Sequence, residues 1–118
     1  MKKIILLISI FFTLVGTSNA NEVNIFSSRH YDSDVQLYQK FTVKTGIAIN
    51  IVSGKDKALT KRILEEGRDC KADLYITADA GRLGVMEAKG IFQRVSSKIL
   101  EQKIPSNFRS PYWFGIAK

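Results

Sequence analysis

The stretch from Val23 to Val52, "VNIFSSRHYDSDVQLYQKFTVKTGIAINIV", decides the fold. Its first residues, "VNIFS" (Val23 to Ser27), are β-branched and aromatic with polar residues on either side, the composition of a buried strand. From Tyr31 the period changes. Val35, Tyr38 and Phe41, with Leu37, recur at helical spacing, and the run stops at Gly46, a residue suited to closing a helix in the left-handed conformation. Asp32 or Ser33 is placed to cap its start. "IAINIV" (Ile47 to Val52) then reads as a second strand. Strand, helix and strand at this spacing form a crossover unit, and such a unit joins parallel strands.

The same pattern continues downstream. "SGKD" turns at Gly54. "KALTKRILEEG" sets Leu59, Ile63 and Leu64 on one stripe and ends at Gly67, and "ADLYIT" (Ala72 to Thr77) reads as a third strand. "ADAGRLGVMEAKG" is a short helix from about Ala80, apolar on Leu83, Val85 and Met86 and closed at Gly90. "FQRV" is short enough to pair briefly, and "YWFGIA" reads as another strand. The fold class is therefore α/β, a mainly parallel sheet with flanking helices. In sheets of this class ligands bind beyond the carboxyl ends of the strands, in the loops leading into helices. Three such loops are present: "SSRHYDSD", "SGKDK" and "TADAGR".

The first of them holds the chain's one histidine, His30, beside Tyr31. A strand just before the pair aims it into a cleft. Imidazole nitrogen and phenolate oxygen both ligate iron, and the hard ferric ion favours anionic oxygen. A tyrosine of ordinary pKa, about 10, must lose its proton to bind, and the metal can drive that loss. Arg29 carries a charge that favours the phenolate or holds an accompanying anion. Taken alone, such a pair is more often a surface or packing feature than a metal site.

The ends and the composition narrow the class. Residues 1–20 have two lysines, an apolar run from Ile4 to Val15 and Ser18-Asn19-Ala20 as a small-x-small cleavage site, the layout of a secretory signal peptide. The apolar run falls short of the roughly 20 residues that span a bilayer. Residues 21–118 then form one small exported domain, expected in the periplasm. The lone cysteine, Cys70, excludes an internal disulfide and has no second soft ligand near it. The formal charge is +7, two units of it on Lys2 and Lys3. That surface suits an anionic ligand, but no basic run interleaved with aromatics points to nucleic acid. An enzyme has little support. No Gly-rich phosphate loop or Gly-x-Ser-x-Gly elbow is present, and His30 with Ser27 or Ser28 lacks an orienting third group.

Longer words in the chain are more specific. "NIFSSRHYDSDVQLYQKFTVKTGI", "SGKDKALTKRILEEG", "ADLYITADAGRL" and "GIFQRV", followed by "YWFG", resemble in order and spacing the N-terminal part of periplasmic ferric-ion-binding proteins. These are the substrate-binding components of bacterial iron ABC transporters, two-lobed and similar to transferrin lobes. The resemblance covers essentially all of residues 22–118. It implies part of the first lobe of a type II periplasmic-binding-protein fold, with Tyr31 as a ferric ligand and His30 joining it. It also implies Fe3+ held with a synergistic anion and delivered to an inner-membrane ABC permease. Arg29 as the anion contact is an inference from its chemistry, not part of the resemblance. Another branch of the family places an acidic ligand in the loop after the third strand; Ala78 holds that position here, and the adjacent Asp79 is not assigned as a ligand. The spacing before "YWFG" is shorter than the family's. The family's second-lobe tyrosines, including an adjacent Tyr-Tyr pair, do not occur in these residues. The expectation is an incomplete N-terminal lobe with impaired or lost binding unless a separately encoded C-terminal half completes it. Two other readings stay open: a nonfunctional remnant of a decayed or split gene, and a binding protein for another anion such as phosphate, served by Arg29 and Arg82.

Overall fold

The strand β1 (Glu22–Ser27) is the centre of a three-stranded sheet of order β2-β1-β3, with β2 (Ala48–Ser53) and β3 (Leu74–Ile76) both parallel to it. The computed structural model describes residues 21–116; the signal peptide expected at residues 1–20 lies outside the described residues. Val23 stands opposite Ile49, Ile25 opposite Ile51 and Leu74, and Phe26 opposite Val52 and Tyr75. A strand flanked on both sides and covered on both faces needs apolar residues without alternation. Ile25, Phe26 and Ser27 are accordingly each only 2% exposed.

Successive side chains leave opposite faces of a strand, so Ile25 and Phe26 serve different layers. The Phe26 face is packed by α2 (Asp56–Glu66) and α3 (Ala80–Ala88), which contribute Leu59, Ile63 and Met86 to one core, edged by Cys70, Tyr75 and Phe92. The Arg62 guanidinium lies 4.8 Å from the centre of the Phe26 ring. On the other face α1 (Asp32–Thr45) meets the sheet at its β2 edge, leaving a groove of about 330 Å³ between Val35, Tyr38 and Val43 on the helix and Ile49 and Ile51 on the strand.

Several local expectations change in three dimensions. Tyr31, not Asp32 or Ser33, is the cap residue of α1, and no side chain caps it; Asp32 and Asp34 sit inside the first turn, where the helix dipole favours negative charge. The helix ends at Gly46 as expected, with φ at 73° and its N–H donating to the Thr42 carbonyl. None of the apolar stripe of α1 is buried, because the helix rides over an edge strand. In α2 Leu64 is exposed and the third buried position is Thr60, whose hydroxyl is satisfied by the Asp56 carbonyl at 2.8 Å. "FQRV" and "YWFGI" do not join the sheet. The second instead folds back on residue 109: Arg109 bridges Phe114 antiparallel, the Ser110 N–H donates to the Trp113 carbonyl at 2.9 Å, and the Gly115 N–H to the Phe108 carbonyl at 2.8 Å. Pro111, with no N–H to give, sits in this turn and accepts instead from the Val95 N–H at 2.9 Å. A helix not anticipated from the sequence, α4 (Lys98–Lys103), starts at Ser97, whose hydroxyl accepts from the Leu100 N–H.

Candidate metal centre

The loop that carries the histidine is fixed at its root. Ser27, the last residue of β1, is buried, and its hydroxyl accepts from the Arg29 N–H at 3.1 Å and donates to the Arg29 carbonyl at 3.2 Å. Each neighbouring strand end is also tied in: the Ser28 N–H donates to the Ile76 carbonyl at 3.0 Å, and the Gly54 N–H to the Ser27 carbonyl at 3.1 Å. The backbone at Tyr31 is extended, and the Asp34 N–H donates to its carbonyl at 3.0 Å as α1 begins.

Arg29 turns back over this loop. Its Nε and Nη2 donate to Asp34 Oδ2 and Oδ1 at 3.0 and 3.2 Å, and the guanidinium carbon lies 4.9 Å from the centre of the Tyr31 ring. Arg29 and Tyr31 together line a cleft of about 320 Å³ whose other walls are the end of β3, the start of α3 and the segment from Trp113 to Ile116. The Trp113 indole N–H, held by Glu87 Oε2 at 2.7 Å, fixes that last wall. Tyr31 is 57% exposed, and its hydroxyl makes no hydrogen bond among the described residues. His30 is exposed and does not line the cleft. The structure thus brings Tyr31 and Arg29 to the cleft and leaves His30 on the outer side of the same loop.

A second tyrosine on this wall has different chemistry. The Tyr75 hydroxyl donates to Asp56 Oδ1 at 2.5 Å, and burial, then that bond to an anion, push its pKa well above the ordinary value. Ionising it would place two negative charges side by side. Asp56 is held the other way. Burial alone would raise its pKa, but the surrounding hydroxyls of Ser28, Tyr75 and Thr77 and the charge of Arg82 outweigh that and lower it. Arg82 Nε stands 3.6 Å from Asp56 Oδ2. This cluster joins the starts of α2 and α3 to β3 beneath the cleft, and no motif in the sequence paired its members. Asp79, adjacent to the position of an acidic ligand, spends its carboxylate as the cap of α3, accepting from the Gly81 and Arg82 N–H groups at 2.9 and 3.4 Å. Among the described residues no three His, Cys, Asp or Glu side chains gather as a metal cage.

No family model matches the chain. Iron uptake protein A1 of Synechocystis is 48% identical over 99 residues, which are 82% of this chain and 28% of that protein. A Trichodesmium protein solved in complex with iron and citrate superposes with a TM-score of 0.76 at 48% identity, over 80% of this chain and 31% of that one. The ferric binding protein of Campylobacter jejuni gives 0.69 at 43% identity, over 75% and 28%. The chain spans less than a third of the length of each of these relatives. The parallel sheet with helices on both faces is the part of the type II periplasmic-binding fold that it shares with them. Over that shared part, the chain belongs to the periplasmic ferric-ion-binding protein family.

Proposed function

We propose that the chain takes ferric ion as cargo in the periplasm, for delivery to an inner-membrane ABC permease, with Tyr31 as the phenolate ligand and His30 as a neighbouring ligand. The observation that carries this reading is the Tyr31 phenol, set at the exit of the central strand, free of hydrogen bonds among the described residues and placed beside a guanidinium at a cleft mouth. Ferric ion prefers anionic oxygen, and the metal itself can drive the loss of the phenol proton. His30 reaches the ion by turning its exposed ring inward. Two donors leave much of the coordination shell to water, to a synergistic anion or to donors of another lobe, on this or a separate chain. Citrate is a fitting anion, given the likeness to the Trichodesmium protein solved with iron and citrate. The described residues alone should hold the ion weakly and lose it to free chelator.

The geometry favours binding over catalysis. The Ser27 hydroxyl is occupied by the Arg29 backbone, so a His30–Ser27 nucleophile pair has no free partner. A phosphate reading has less support, since Arg29 already faces Asp34, Arg82 faces Asp56, and Arg82 does not line the cleft.

The test is a titration of the purified chain with ferric citrate, following the visible phenolate-to-iron charge-transfer band in wild type and in Tyr31→Phe. The expected result is a weak band that the substitution abolishes. A folded wild-type chain with no band, or a band that survives in Tyr31→Phe, overturns the assignment.

A further inference from the structure

We infer that Arg29 is a positioning residue: braced by Asp34, it holds the Tyr31 ring in the orientation that ligates the ion. The inference rests on the ferric reading above. Tyr31 is more than half exposed, and an exposed tyrosine at the start of a helix ordinarily samples several rotamers. A ligand on such a ring binds well only when one orientation is prepared in advance. Three contacts close a circuit around it. The guanidinium lies 4.9 Å from the ring centre, its fork grips Asp34 at 3.0 and 3.2 Å, and the Asp34 N–H returns to the Tyr31 carbonyl at 3.0 Å. The arginine is fixed at its root as well, because the Ser27 hydroxyl binds both its N–H and its carbonyl.

The residue types suit that role. Two parallel charge-assisted bonds orient a planar guanidinium in a way that a lysine ammonium does not reproduce, and the planar face is what stacks on an aromatic ring. Both charged side chains are mostly shielded, 18% and 19% exposed, which limits screening of the pair. Two of the guanidinium's directed donors are committed to Asp34, so an anion in the cleft would meet an arginine already engaged.

The experiment has two arms, both on the full chain. The first needs no iron. The chain is labelled with 3-fluorotyrosine at its four tyrosines, and the Tyr31 resonance is assigned by its loss in Tyr31→Phe. In Asp34→Asn and in Arg29→Lys this resonance should move toward the position of free fluorotyrosine and sharpen, while those of Tyr75 and Tyr112 stay in place and that of Tyr38, which feels both charges, shifts without sharpening. A Tyr31 resonance unchanged in both variants overturns the inference. The second arm is the ferric titration, in which Asp34→Asn and Arg29→Lys should each weaken binding by about tenfold to a hundredfold. Wild-type binding by Arg29→Lys, with loss in Arg29→Gln, shows that only the charge matters, as for an anion contact, and overturns the positioning role. If Tyr31→Phe leaves the ferric signal intact, the ferric reading fails, and the fluorine arm still decides whether the ring is held.

Discussion

Tyr31 and Tyr75 border one cleft and are prepared for opposite tasks. The Tyr31 hydroxyl makes no hydrogen bond among the described residues and its ring lies under a guanidinium, whereas the Tyr75 hydroxyl serves as a donor to an ionised carboxylate. The Asp56 end of that bond has a consequence in acid. Its pKa is lowered in the folded state, so its stabilisation is fully present above the ordinary carboxylate value of about 4 and is lost as the pH falls through the lower folded value. The melting temperature should therefore hold steady from neutral pH down to about 4 and drop below it. Asp56→Asn should lower it at pH 7 and flatten the acid limb; a wild-type-like acid limb in the variant would refute the assignment. That His30 and Tyr31 share the first strand-to-helix loop was legible in the sequence because they are adjacent; that only Tyr31 of the two lines the cleft was not. The Asp56–Tyr75–Arg82 cluster was not, because it forms between separate elements across 19 residues from Asp56 to Tyr75, and spacing along the chain carries no record of such a meeting. The bracing of Arg29 by Asp34 was hidden for a related reason: both residues stood in the quoted loop, but their pairing depends on how the chain turns at Tyr31.

The β1–α1–β2 unit follows from the change between strand and helical periods, and the glycines that end its helix and those downstream mark real stops. Prediction from pattern weakens where an element is chosen by its partners. "YWFGI" has strand composition but pairs with neither open edge of the sheet; it closes instead on Phe108 and Arg109 and becomes a cleft wall. Gly115 allows that closure. A Cβ built there would stand 2.9 Å from the Phe108 carbonyl oxygen, closer than real contacts allow. Gly115→Ala should push the segment outward, loosen the Trp113–Glu87 bond and red-shift the fluorescence of the chain's one tryptophan. An unchanged emission maximum would mean that the wall absorbs the methyl group without moving. α4 escaped notice because its six residues are too few to display a period, although Ser97 before "KILE" is a legitimate start signal.

Across the molecule, burial is concentrated on one side. Phe26 and Met86 are almost fully enclosed, while Val35, Leu37, Val43, Leu74 and Val85 stay exposed. The outer edges of β2 and β3 have no strand partner among the described residues. Such edges and faces favour association. Sedimentation velocity on the purified chain should show concentration-dependent self-association, reduced in Leu74→Lys, where a charge is placed on the β3 edge; equal association in both would exclude that edge as the contact. The strand order has a further consequence for the path by which the molecule forms. β1 is made first yet lies between two strands made later, and Ile25 must wait for Leu74, almost fifty residues on, before its second side is paired. Closing contacts so distant in sequence is slow. In pulse-labelled hydrogen exchange during refolding, the Ser28 amide, bonded to the Ile76 carbonyl, should gain protection after the amides of α1. Simultaneous protection would reject that order. The earliest-made of the three strands is thus the last to be enclosed, and until then its apolar sequence is available to whatever assists or degrades unfinished proteins.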